Sequence, residues 1–246
     1  MKAVNFQEDS AILKSYRQVG DTLYERILFK THFIKPGEDI VEVISQYTQN
    51  YRQDGDIIFV SDKAVANSQR RVIHTDDIKP GFFARFLCRF VSVSSAGKGI
   101  GTPQKMQVAI EQAGLLRILF AAFVSVITKL FGIRGVFYKI AGDTVTRIDG
   151  KAGYEDWSGP KGPYWDYVVL PSENPNRVAE RIKEATGCSA FIADINDLDG
   201  YIVGYSEDKL KEWNFKEILR DNPMGQENEG TPIGIVRVAQ AAAVEM

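Results

Sequence analysis

Cysteine and histidine are nearly missing from this sequence, with two of each in 246 residues. Cys88 and Cys188 stand far apart with no CxxC spacing, so neither a disulfide framework nor a thiolate zinc site is written into the chain. His32 and His74 are equally isolated; with no partner spacing they suggest neither a metal site nor a catalytic triad, and satisfied surface or core histidines are the default. Ser61 in "VSDKAV" lacks the flanking glycines of a nucleophile elbow, which leaves nucleophilic hydrolysis without support. An excess of positive charge is also missing. The formal net charge is -2, whereas a general nucleic-acid binder needs a basic field. The opening "MKAVNFQEDSAILK" carries acidic residues early and no apolar stretch, so a secretory signal is not expected and a cytoplasmic protein is.

What remains is ordinary globular composition: 44% hydrophobic and 25% charged residues, enough for one large domain or two small ones. The most apolar stretch, "LLRILFAAFVSVITKLF" (residues 115–131), is interrupted by Arg117 and Lys129. It falls short of the roughly 20 apolar residues that a membrane span needs. Phe120, Phe123, Val124 and Ile127 recur at helical spacing, with Leu119, Val126 and Leu130 on the other sides. A helix apolar nearly all round is expected in a core or against a second subunit, with membrane contact as the other reading.

Along the chain, "TLYERILFK" reads as a strand, "DIVEVISQY" as a helix after the Pro36-Gly37 turn, and "DIIFV" as a strand after Asp54-Gly55. Helices follow at "FFARFLCRFV" and "QKMQVAIEQA", the second stopped by Gly114, with the loop "VSSAGKGIGTP" between them. Residues 135–150, "GVFYKIAGDTVTRIDG", read as a hairpin turning at Ala141-Gly142-Asp143. "DYVVLP", the helix "NRVAERIKEAT" opened by Asn174-Pro175, and "SAFIADI" form a strand, helix, strand series expected to be a βαβ unit. The fold class expected is mixed α+β or α/β: a βαβ unit plus hairpins packed with helices, in two lobes. Its division is an N-terminal segment 1–21, a main domain 22–240 and a tail 241–246.

The acidic stretch "FIADINDLDG" (residues 191–200) poses the chemical question. With Gly200 at the sixth position of a calcium loop, Asp197 and Asp199 fall at the third and fifth. Ile195 and Ser206 would then occupy the first and last ligand positions, so an EF-hand is excluded. Placed beyond the carboxyl end of a strand, where α/β sheets bind ligands, Asp194 and Asp197 suit a hard cation such as Mg²⁺ or Mn²⁺. "NDLDG" is equally good turn chemistry on its own. Both readings stand. The glycine-rich "SSAGKGIGTP" fails the phosphate-loop pattern, because Lys98 is followed by Gly99, and reads as a mobile loop.

Several blocks, in order, resemble the gamma-glutamyl ligase family that adds glutamate to the deazaflavin coenzyme F-420. They are "IKPGEDIVEVI" with "DGDIIFVSDKAVANSQRRV", then "RIDG", then "VVLPSENPNRVAERIKEATG" with "FIADINDLDG", and finally "PMGQENEGTPIGIVR". The resemblance covers most of residues 30–240. It implies a GTP-dependent ligase with two divalent cations, Mg²⁺ or Mn²⁺, working as an intertwined homodimer on a small carboxylate substrate and glutamate. In this family GTP phosphorylates the carboxylate, and the amine then displaces phosphate. Carried over by position, Asp149 and Asp197 match first-metal ligands and Gln226 a ligand of the second. Thr31, His32, Asp62 and Lys63 match nucleotide-contacting turns. Met224, Gly225, Gln226, Glu227, Asn228, Glu229, Gly230 and Thr231 match the loop that wraps the nucleotide.

The sequence also departs from the family pattern. Leu198 stands where a hydroxyl or acidic group is usual, and Asn67 replaces a lysine of the phosphate turn. The run after the acidic turn reads "YIVGYSED" without its basic-aromatic character, and the segment from there to "MGQ" is short. These departures open the identity of the acceptor. They also admit a non-catalytic relative that binds nucleotide or metal with a regulatory or assembly role.

Overall fold

The computed structural model describes residues 12–91, 99–150, 165–195, 200–225 and 229–239. Asp197, Leu198, Gln226, Glu227, Asn228 and the first half of the loop "SSAGKGIGTP" therefore lie outside the described residues. The chain opens with β1 (Ile12–Val19), β2 (Thr22–Phe29), α1 (Ile40–Thr48), β3 (Ile57–Ser61), α2 (Asp62–Ser68) and β4 (Val72–His74). It continues with α3 (Phe82–Leu87), α4 (Pro103–Ala113), α5 (Leu115–Leu130), α6 (Val136–Ala141) and α7 (Asp143–Thr146). Then come β5 (Tyr167–Val169), α8 (Pro175–Thr186), β6 (Ser189–Ile195), β7 (Gly200–Tyr205), α9 (Phe215–Ile218) and β8 (Ile233–Val238). The mixed α+β class expected from the sequence is present.

The elements separate into two compact units. One contains residues up to Arg70 and from Ser172 onward; the other is Arg71–Pro171. In the first unit, six strands form a mixed sheet in the order β1-β2-β8-β3-β6-β7. β3 runs parallel to β6 and antiparallel to β8. Its first four residues are all buried, and alternate side chains serve opposite faces, as the pleat requires. Ile58 and Val60 pack with Ile44, Val178 and Ile182 on one side. Ile57 and Phe59 pack with Phe191, Phe215 and Leu219 on the other. A continuous apolar run is the mark of a strand covered on both faces. Phe59 lies opposite Gly234 of β8, and a Cβ on Gly234 would come within 2.2 Å of the ring. The glycine is there because the aromatic ring fills the space.

Three sequence expectations change. Residues 12–19, expected in an N-terminal segment apart from the main domain, form β1 and pair with β2 along its whole length. Residues 135–150 form α6 and α7 and not a hairpin. Phe137, Ile140 and Ala141 recur at three- and four-residue steps and join the core of the second unit, while Gly142 (φ +105°) separates the two helices. The strand, helix, strand series is real, but β5 pairs with β4 in a separate two-stranded sheet. The parallel partner of β6 is β3, so the βαβ unit does not close on β5. Asn174 precedes the proline of α8 in a left-handed conformation without a side-chain cap, and Gly187 (φ +77°) ends that helix.

The apolar segment 115–131 is helical, as α5, yet within this chain it is not a core helix. Only Ile118 and Ala121 are buried along it. At the junction between units the first unit's own chain ends are stitched together. The Gln69 side chain donates to the Glu173 carbonyl (2.9 Å) and accepts from the Glu173 amide (2.7 Å).

Candidate functional site at one end of the sheet

The strand directions bring separate parts of the sequence to a single edge. Phe29 at the end of β2 and Val60 near the end of β3 both face Ile233 at the start of β8. Ser61 faces Ala193 of β6. The residues just beyond these positions therefore share one end of the six-stranded sheet: Thr31 and His32, Asp62 and Lys63, Asp194, and Gly230 and Thr231. Backbone hydrogen bonds fix two of these junctions. The Thr31 amide donates to the Gly230 carbonyl (2.9 Å), and the Ser61 amide donates to the Pro232 carbonyl (2.8 Å).

His32 is held from two helix-side residues that the sequence reading did not single out. Its backbone amide donates to the Tyr47 hydroxyl (3.0 Å). The ring Nδ1 lies 3.1 Å from the same hydroxyl, and Nε2 lies 3.1 Å from Glu38 Oε2. Because a carboxylate only accepts, the proton between His32 and Glu38 sits on Nε2, and the Tyr47 hydroxyl can then donate to Nδ1. Glu38 Oε2 also accepts from the Lys35 amide (2.6 Å). "KPGED" supplies Glu38 and the middle of α1 supplies Tyr47. Their link to His32 is tertiary and leaves no mark in local spacing.

Asp62 begins α2 and is buried, with its carboxylate turned toward Ser172: Oδ1 accepts from the Ser172 hydroxyl and lies 3.4 Å from the Ser172 amide. Lys63, next in the helix, is half-buried. Asn67, one turn further, is also buried and donates to the Ile34 carbonyl. The position that the resemblance associates with a phosphate turn thus holds the 31–36 segment against α2. Ser172 was likewise missed, since a lone serine after a proline carries no signal by itself.

The glycine-rich turn is described at both ends. Gly225 adopts φ +74° and Gly230 φ +66°, conformations that favour glycine. The Glu229 side chain occupies the space a Cβ on Gly225 would need, with Glu229 Cδ 2.3 Å from that position. Thr231 Oγ1 donates to the Met224 carbonyl (2.9 Å) and closes the base of the turn.

Two of the expected metal ligands belong to different units. Asp194 is half-buried on β6, opposite Tyr201 of β7. Asp149 is exposed in the Arg71–Pro171 unit, where its amide and carbonyl exchange hydrogen bonds with Val169 (2.8 and 3.0 Å). Among the described residues no three His, Cys, Asp or Glu side chains form a group that could hold a metal ion. The donors expected here, carboxylate and amide oxygens, are the kind a hard divalent cation takes. Of the four expected ligands, Asp149 and Asp194 are among the described residues, and Asp197 and Gln226 lie outside them.

Burial pushes the Cys88 and Cys188 thiols above their ordinary range. Neither is thereby activated as a nucleophile.

Comparison with known proteins gives a consistent pattern. Residues 29–190 match the family described as F420-0:Gamma-glutamyl ligase. A curated protein of Methanopyrus kandleri (strain AV19), "Coenzyme F420:L-glutamate ligase", is 23% identical over 171 residues, covering 68% of this chain. The match spans little more than half of that relative, 56% of its length. The matched family span ends before Asp194 and the 224–231 turn.

Proposed function

The chain belongs to the F420-0:gamma-glutamyl ligase family, and from that premise we propose that it joins an amino acid to a carboxylate substrate at the expense of a nucleoside triphosphate. On this reading GTP is the co-substrate and L-glutamate supplies the amine. A carboxylate oxygen of the acceptor attacks the γ-phosphorus and the nucleoside diphosphate leaves. The glutamate nitrogen then attacks the acyl carbon, and inorganic phosphate departs with the bond that held it. The observation that carries the proposal is the meeting of the Thr31–His32, Asp62–Lys63, Asp194 and Gly230–Thr231 segments at one end of the sheet.

Each residue has work suited to its chemistry. Lys63 supplies a positive charge toward the phosphates. Backbone N–H groups of the 224–231 turn, other than that of Gly225, which donates to the Asn222 carbonyl (3.0 Å), can hold phosphate oxygens without bringing further charge. Thr31 and His32 contact the nucleotide from the end of β2. Asp62 acts through its backbone and by fixing the start of α2, because its carboxylate faces Ser172. By the resemblance, Asp149 and Asp197 would serve a first divalent cation, Mg²⁺ or Mn²⁺, and Gln226 a second, with Asp194 a further carboxylate; such cations would neutralise charge on the transferring phosphoryl group. The family resemblance supports a homodimer and a cytoplasmic setting as part of the same proposal.

A non-catalytic nucleotide-binding relative is the alternative, and Leu198 and Asn67 are the residues that favour it. Since Asn67 is buried and anchors the Ile34 carbonyl, its replacement of a lysine has a structural account and does not by itself argue for lost activity.

Thermal unfolding with GTP or ATP, each with Mn²⁺, tests the binding half: ligand bound only to the folded state raises the melting temperature. Release of inorganic phosphate that depends on both glutamate and an added carboxylate acceptor tests the ligase. Binding without phosphate release across a panel of acceptors would favour the silent relative. No shift with either nucleotide would end both readings.

A further inference from the structure

Helix α5 carries an apolar face that the ligase proposal does not use. Leu116, Phe120, Phe123, Ile127 and Leu130 recur at alternating four- and three-residue steps and so line one side of the helix. All five are exposed, with Leu116 at 83%, Phe123 at 64% and Leu130 at 81%. Phe131 and Ile133 continue the exposed apolar surface past the helix end. The opposite side, through Ile118 and Ala121, is buried in the second unit's core. A contiguous apolar stripe of this kind marks an interaction surface more than ordinary surface composition does.

Charge identifies the partner. Every charged residue on α5 and in the turn after it is basic: Arg117, Lys129 and Arg134. The exposed phenylalanines of α3 and the residues just after it, Phe82, Phe86 and Phe90, are interleaved with exposed Arg85 and Arg89. From residue 78 to 142 the sequence holds nine Lys and Arg but a single acidic residue, Glu111, although the whole chain is slightly acidic at -2. A second copy of the chain is a poor occupant. Two α5 helices set face to face would bring only positive charges together, with no carboxylate on either to pair across the seam. An anionic surface satisfies both features at once.

We propose that α5 lies flat on an anionic lipid surface, inserting its phenylalanine and leucine stripe among the acyl chains while its flanking Lys and Arg meet the headgroups. At 1.5 Å per residue its 16 residues span about 24 Å, short of a hydrocarbon core of about 30 Å. The preceding helix α4 departs at an angle of 113°, so the two cannot cross as one rod. No single helix among the described residues is long and apolar enough to span a membrane. Residence in the interface is the geometry that fits.

The test is co-sedimentation of the full chain with vesicles of pure phosphatidylglycerol and of pure phosphatidylcholine. The expected result is binding to phosphatidylglycerol at least about tenfold tighter than to phosphatidylcholine, weakening as salt is raised. Lys129→Gln with Arg134→Gln should lower phosphatidylglycerol affinity by about tenfold, and Phe120→Ser with Phe123→Ser should remove binding. All four side chains are exposed, so both double variants should melt with the parent. Absence of the parent from both vesicle pellets would overturn the proposal, as would equal binding by parent and variants. So would a dimer in sedimentation equilibrium that Phe120→Ser with Phe123→Ser dissociates while vesicles stay unbound; that result would give the face to a second copy.

Discussion

The amide of Thr31 donates to the carbonyl of Gly230 over 2.9 Å, joining positions almost two hundred residues apart in the chain. This bond places the exit of β2 beside the approach to β8, and the candidate nucleotide site is assembled around it. Lys63→Met removes a charge from that end of the sheet. It should reduce the nucleotide-induced rise in melting temperature, measured against the variant's own unliganded value. An unchanged rise with GTP and ATP would exclude Lys63 from phosphate binding.

The Asp62–Ser172 contact is expected to matter for stability. Ser172→Ala leaves a buried carboxylate with one donor fewer, a loss of about 1–3 kcal/mol. Urea unfolding should show a lower midpoint with an unchanged slope. A midpoint equal to the parent's would mean that the serine hydroxyl contributes nothing.

Gly234→Val puts a branched side chain where the Phe59 ring already lies. Neither residue can move far in a sheet covered on both faces. The expected cost is about 1–3 kcal/mol from overpacking, read as a fall in the urea midpoint. Pairing it with Phe59→Leu should recover part of the loss, and strict additivity of the two changes would show that they do not interact.

Glu207 gives a pH prediction with a definite sign. A hydrogen bond from the Ser189 hydroxyl, aided by the Lys183 and Lys209 ammonium groups at 3.0 and 3.2 Å, holds its carboxyl down from 4.5 to about 2. The folded state therefore binds this proton less readily than the unfolded chain. The stabilisation is full above pH 4.5 and is lost as the pH falls through that value toward about 2. Glu207→Gln should be less stable than the parent at neutral pH, and the gap should narrow across that acid window. A gap that stays constant down to pH 2 would rule out the ionised carboxylate as its source.

Local pattern revealed those parts of the fold whose burial follows a simple period. The apolar run of β3, the helix of residues 40–48 and the proline-opened, glycine-closed α8 could all be read in the chain. β1 was hidden because its exposed alternating side chains, Lys14, Tyr16 and Gln18, resemble a polar tail until β2 is placed beside it. The pairing of β5 with β4 and of β6 with β3 was not legible, because strand propensity names no partner. In the candidate site, the glycine turn and the strand-end residues were visible as blocks. The fastening of His32 by Tyr47 and Glu38, and of Asp62 by Ser172, depends on contacts between distant segments. The exposure of α5 was missed because composition reports how apolar a helix is and not which solvent its apolar side meets.

The paired hydrogen bonds between Gln69 and Glu173 have a further consequence for the ancestry of the chain. Just past them, the Leu170 amide reaches the Arg71 carbonyl at 2.9 Å, so residues 71–171 begin and finish at neighbouring points. The entropy of closing a loop grows only slowly with its length. A gene could therefore lengthen or exchange that middle stretch at little entropic cost to the six paired strands.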